Sequence, residues 1–191
     1  MPKALPAAGC AEPGPLMRCV ALLRGVNVNG ITIRSADLKK LFAGELGLGE
    51  VQTVLASGNV LFDAPGATAA LKKRIESALR ERFGYDAWIV LETQAQLAKV
   101  AAAWPFERID DERHPYVVFS SDAAALTELL QQAGKVDADV EQLKAGKGVL
   151  YWQCPRGGST DTPVAKLLAK PRYKAGITTR NLRTVEKLIG A

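Results

Sequence analysis

Histidine is nearly missing from this chain: His114 is the only one in 191 residues. It sits beside Pro115, and no GxSxG elbow occurs, so a Ser-His-Asp triad has no recognisable nucleophile. Cysteine is scarce as well. Cys10, Cys19 and Cys154 make an odd number, with no CxxC spacing. One histidine and these cysteines fit no zinc-binding pattern, so no metal and no cofactor is expected. Cys19 and Cys154 fall in apolar stretches and are expected to be buried, inert thiols. No apolar run approaches the roughly 20 residues of a membrane span. The opening Ala-, Pro- and Gly-rich residues, with Lys3 their single base, lack the apolar core of about 7–15 residues found in a secretory signal. The expectation is a cytoplasmic protein with no membrane partner, in which residues 1–17 are a non-structural extension ahead of the first strand.

What is present is ordinary for a soluble globular protein: 48% hydrophobic and 24% charged residues. The length suits one large domain or two small ones. Net charge is +5, unevenly placed. From Lys166 onward stand Lys166, Lys170, Arg172, Lys174, Arg180, Arg183 and Lys187, opposed by Glu186 alone. A basic segment on a near-neutral body points to an anionic partner or to a solvated basic surface.

Hydrophobic spacing and turn residues organise the rest. Strands are expected over 18–26, 51–56, 60–62 and 87–91. Between them lie helices after Ser35, with Leu38, Leu41, Phe42 and Leu46 on one face, and after Thr68, with Leu71, Ile75, Leu79 and Phe83. Ser57-Gly58-Asn59 reads as a tight turn between the second and third strands. This order is βαββαβ, the ferredoxin-like arrangement of an antiparallel sheet with two helices on one face. It is expected to fill residues 18–92. A second α+β subdomain follows over 93–191. A helix capped by Thr93 leads to Trp104-Pro105-Phe106, a hydrophobic plug between the halves. Then come a strand over 116–120, a helix capped by Asp122, a hairpin of 140–143 and 149–153 around Gly146-Lys147-Gly148, and helices near 162–169 and 179–189. The second half thus reads βαββα(α). The fold class is α+β.

Three segments could carry function. In Leu22-Leu23-Arg24-Gly25-Val26-Asn27-Val28-Asn29-Gly30 an apolar strand runs into an arginine and a polar turn. An unpaired buried charge is costly, so Arg24 must reach a partner, a polar pocket or water. The glycine spacing resembles a phosphate loop, but the lysine and the following helix are missing, which excludes a P-loop NTPase. GxGxxG is absent too. The second segment is Ser57-Gly58-Asn59. The third is Thr178-Thr179-Arg180-Asn181, where the threonines offer helix caps and Arg180 falls in a first helical turn. A cation there opposes the helix dipole unless an anion also binds. Asp161 and the hydroxyls are the only candidates for acid or base work, and the sequence names no reaction.

Together these segments resemble the three signatures of the bacterial domain-of-unknown-function 1697 family. The matching stretches are Leu22 to Gly30, Ser57-Gly58-Asn59-Val60-Leu61-Phe62, and Thr178-Thr179-Arg180-Asn181-Leu182-Arg183-Thr184-Val185. The chain departs from the family pattern at Asn29, Leu182 and Arg183, where glycine, tryptophan and asparagine are usual. The resemblance implies a two-part α+β fold with a ferredoxin-like first half, and no activity. The function expected is binding of a small phosphate- or nucleotide-like anion by Arg24, Asn27, Asn29, Ser57, Asn59, Thr178, Thr179, Arg180 and Asn181. The alternatives are nucleic-acid binding through the basic C-terminal region and a non-catalytic interaction module. Convergence of Arg24, Asn59 and Arg180 on one place separates the first from the last.

Overall fold

A computed structural model describes residues 14–24, 33–55, 58–84, 86–134 and 136–191. Strand β1 (Met17–Arg24) lies at the middle of the first sheet. Cys19, Ala21 and Leu23 enter one core while Val20 and Leu22 enter another. Burial on both faces is why this strand reads as an unbroken apolar run. Helix α1 (Ser35–Lys40) continues into a π-helical turn, Leu41–Glu45. Arg34 holds the cap position without a side-chain hydrogen bond, so Ser35 is the first helical residue and not the expected cap.

Strands β2 (Gly49–Val54) and β3 (Asn59–Ala64), helix α2 (Ala69–Phe83) and strand β4 (Trp88–Thr93) complete the first sheet. Its order is β2-β3-β1-β4, and every paired neighbour is antiparallel. This is the ferredoxin-like topology read from the sequence. Thr68 caps α2 by accepting from the Leu71 amide at 3.2 Å, and Gly84 ends it in the left-handed region at φ +64°.

Helix α3 (Gln94–Ala102) opens with a capping box between Thr93 and Gln96 and leads into the second half. There follow β5 (Arg113–Ser120), α4 (Ala123–Ala133), β6 (Gln142–Ala145), β7 (Val149–Pro155), α5 (Pro163–Leu168), β8 (Ile177–Asn181) and α6 (Leu182–Ile189). The sheet order β6-β7-β5-β8 repeats that of the first half. The sequence reading differs most at one strand, and it also omits a short 3-10 turn at Pro171–Tyr173. A helix was expected from residue 179, but residues 177–181 form a strand paired with β5, Thr179 facing Val118. Ile177, Thr178 and Thr179 are β-branched, so they lose side-chain freedom in a helix and fit a pleated surface. The second half is therefore βαββαβ followed by a helix. The hairpin also begins later than expected, at Gln142, because the Val140 and Glu141 amides both bond back to the Asp137 carbonyl.

Three apolar layers hold the chain together. The outer face of the first sheet packs on α1, the π turn and α2 through Leu38, Leu41, Phe42, Ile75 and Leu79. The outer face of the second sheet packs on α4 and α5 through Leu126, Leu129, Val164 and Leu168. Between them Val20, Leu22, Leu61, Val90, Val117, Phe119 and Tyr151 share one core with Leu97 of α3 and Leu182, Val185 and Leu188 of α6. Trp104 and Phe106 pack against this middle layer, in the place expected of the plug. Cys19 and Cys154 are buried, and burial raises both thiols, Cys154 to about 11. No helix among the described residues is long and apolar enough to cross a membrane.

Candidate functional site

Arg24 ends β1, and Arg180 lies on β8, an edge strand of the second sheet. The two strands meet where the halves join, and their arginines cross over reciprocally. Arg24 Nη1 donates to the carbonyls of Ile177 and, at 3.4 Å, Tyr173 in the second half. Arg180 Nη2 donates to the Leu23 carbonyl at 2.5 Å, and its Nε to Asn59 Oδ1 at 2.7 Å, both in the first half. Arg180 Nη1 also bonds Thr178 Oγ1 at 2.8 Å and the Thr179 carbonyl at 2.9 Å. Asn59 is fully buried and is held by its own Nδ2 bond to the Val54 carbonyl at 3.0 Å.

The acceptors named here are carbonyl, amide and hydroxyl oxygens, all neutral. Burial lowers the pKa of Arg24. Burial, and then the neighbouring Arg24 charge, lowers that of Arg180 to about 10. Both remain cations at neutral pH, in surroundings that disfavour two positive charges side by side.

Beside them opens a cavity of about 420 Å³ lined by Arg24, Thr179, Tyr116, Trp152, Ser159 and Thr160 and closed by α5. Tyr116 stacks on Trp152 with centroids 5.0 Å apart and planes at 25°. The indole is fixed by Glu141, a carboxylate only 1% exposed. Glu141 accepts from Trp152 Nε1 at 2.8 Å and from the Val164 amide, in the first turn of α5, at 3.0 Å. Replacing Glu141 by alanine strands both donors. We expect a loss of about 2–4 kcal/mol in urea unfolding, with glutamine costing less because it keeps an acceptor.

The structure gathers some of the expected residues and separates others. Arg24, Asn59, Thr178 and Arg180 converge, and Thr179 joins Arg24 at the cavity. Asn27, Asn29 and Ser57 lie outside the described residues. The expected threonine caps are corrected. Asn181 caps α6 by accepting from the Arg183 amide at 2.9 Å, while Thr178 serves Arg180. Arg180 is accordingly in a strand and not in a first helical turn, and the helix-terminus argument for an anion does not apply to it. Sequence reasoning missed Tyr116, Trp152, Ser159 and Thr160. The turn residues of Pro155-Arg156-Gly157-Gly158-Ser159, with Gly157 at φ +83°, mark a loop at Ser159 and Thr160, while Tyr116 and Trp152 carry no such mark.

Residues 16–151 match the family model of a protein of unknown function, DUF1697. The chain belongs to that family. The match takes in the first two DUF1697 signatures and stops before the segment carrying Arg180. The solved structure of the conserved bacterial protein SP0830 from Streptococcus pneumoniae is similar over more of the chain. It is 23% identical, with a TM-score of 0.73, covering 92% of this chain and 98% of that one. At that identity the likeness speaks for the fold, which this DUF1697 chain shares with SP0830.

The cavity offers positive charge, hydroxyls and an aromatic face. Among the described residues its lining holds no carboxylate or imidazole. Among the described residues no three histidine, cysteine, aspartate or glutamate side chains are grouped to hold a metal. Such an arrangement is suited to holding and orienting an anion, with hydroxyls the groups at hand for proton transfer.

Proposed function

We propose that this DUF1697 protein binds a small anion of the phosphate or nucleotide class beside Arg24 and Arg180. One observation carries the reading: two arginines, one from each half, converge beside the cavity, and the charge of one lowers the pKa of the other. A bound phosphate reverses that penalty, because charge-assisted contacts strengthen where water is excluded. The Tyr116–Trp152 pair and the Ser159 and Thr160 hydroxyls suit an aromatic group and its polar substituents attached to the anion.

The test is thermal unfolding of the full chain with inorganic phosphate, AMP and ATP. A ligand at about 100 times its Kd adds about 2.7 kcal/mol, or about 5–10 °C for a chain of this size. AMP is expected to give such a rise and adenosine none. Unfolding temperatures that ignore all three anions reduce the arginines to a clasp between the halves.

Nucleic-acid binding is the second reading, favoured by exposed Lys166, Lys170 and Lys174, the first two next in sequence to cavity-lining Ala165 and Ala169. It is weakened because Arg172 is paired with Glu128 at 2.8 Å and Arg183 with Asp110 at 3.1 Å. A steep fall in affinity with added salt would mark it.

A further inference from the structure

A second cavity, of about 640 Å³, lies between α3 and the β6–β7 hairpin, and nothing in the arginine site uses it. The volume is in the range of small-molecule sites. Glu92 at the end of β4 lines it, together with Lys99 of α3 and Lys144 and Lys147 of the hairpin. The Glu92 side chain is half-buried and makes no hydrogen bond or ion pair among the described residues, and burial raises its carboxyl. The three lysines stand exposed around the opening. The wall between is apolar and includes Val100 and Tyr151, whose hydroxyl is tied to the Val100 carbonyl at 2.9 Å.

The hairpin is held close to this wall. A Cβ on Gly146 would come within 2.4 Å of the Tyr151 ring, so only glycine allows the approach. Gly148 turns the chain at φ +75°, next to Lys147. The lysine on this turn is therefore carried on a constrained loop.

An acceptor-only carboxylate without a donor, a flat apolar wall and a rim of cations ask for one molecule bearing hydroxyls and an anion. We infer that this cavity is a second, separate site for a small hydroxylated phosphate ester of the sugar-phosphate class. Its hydroxyls donate to Glu92, its carbon face lies on Tyr151 and Val100, and its phosphate meets Lys144, Lys147 and Lys99.

The experiment is a titration of the full, isotope-labelled chain with glucose 6-phosphate, followed by amide NMR shifts and calorimetry. The amides of Gly146, Lys147, Gly148 and Val100 are expected to move. Glucose and inorganic phosphate should each bind at least tenfold more weakly than the ester. The double variant Lys144→Glu/Lys147→Glu, at exposed positions, is expected to weaken the ester at least tenfold. Glu92→Gln should weaken the ester severalfold and leave inorganic phosphate unaffected. No binding by wild type, shifts confined to Thr179 and Arg24, or unchanged affinity in the lysine variant overturns the inference. Of these results only shifts confined to Thr179 and Arg24 bear on the arginine site, and they would count in its favour; the others leave AMP binding there untouched.

Discussion

Arg24→Gln is expected to remove the AMP-induced rise in unfolding temperature while changing that of the ligand-free protein by no more than a few degrees. The two effects separate because Arg24 has two roles of different weight. Its bonds to the Ile177 and Tyr173 carbonyls join the halves at the edge of the second sheet. Losing them costs about 1–2 kcal/mol in all, at about 0.5–1.5 kcal/mol for a typical hydrogen bond. Against that, the variant removes the cation that, after burial, lowers the Arg180 pKa, which offsets part of the loss. For an anion nothing offsets the loss. A charge-assisted contact contributes about 1.5–3 kcal/mol, so affinity should fall roughly 10–100-fold. Calorimetry with AMP decides the point. An unchanged Kd in Arg24→Gln would remove this arginine from the site.

Arg180→Met should behave in the opposite way and damage the fold first. Methionine approximates the length of the stem but supplies no donor. The Leu23 carbonyl, the Asn59 amide oxygen and the Thr178 hydroxyl then lose their bonds to the guanidinium, and Asn59 and Thr178 are buried too deeply for water to replace them readily. At about 1–3 kcal/mol for each stranded group, partly offset by relief of the charge on Arg24, the net loss is about 3–5 kcal/mol. Urea unfolding measures it. A loss below about 1 kcal/mol would show that the crossed arginines contribute little to joining the halves. The contrast between the two variants is informative in itself, because a single role shared by both arginines would make them equivalent.

Most of the architecture was legible because burial leaves a periodic signature. The helix of Leu71, Ile75 and Leu79, the cap at Thr68 and the stop at Gly84 were all visible as spacing and turn chemistry. The strand at 177–181 was not. Five residues are too short for alternation to stand out, and two threonines ahead of an apolar helix also resemble a cap. What decided the matter was β5, a partner some sixty residues away in sequence, which local patterns do not report. The same limit governed the site. Arg24, Asn59 and Arg180 could be nominated as odd polar residues beside apolar runs, and they do converge. Tyr116, Trp152 and Glu141 read as ordinary strand and turn residues. Their placement depends on how β5, β7 and α5 pack, a tertiary fact with no local marker.

The shared middle layer dictates an order of assembly. By the time β4 has been synthesised, the first sheet has every strand and both of its outer helices, yet Val20, Leu22, Leu61 and Val90 still lack their cover. That cover is completed by α6, which leaves the ribosome almost ninety residues later. For those several seconds at ordinary elongation rates, a finished-looking half carries a bare oily surface. Nascent chains halted between β4 and α6 are therefore the species that chaperones should hold and proteases should clear.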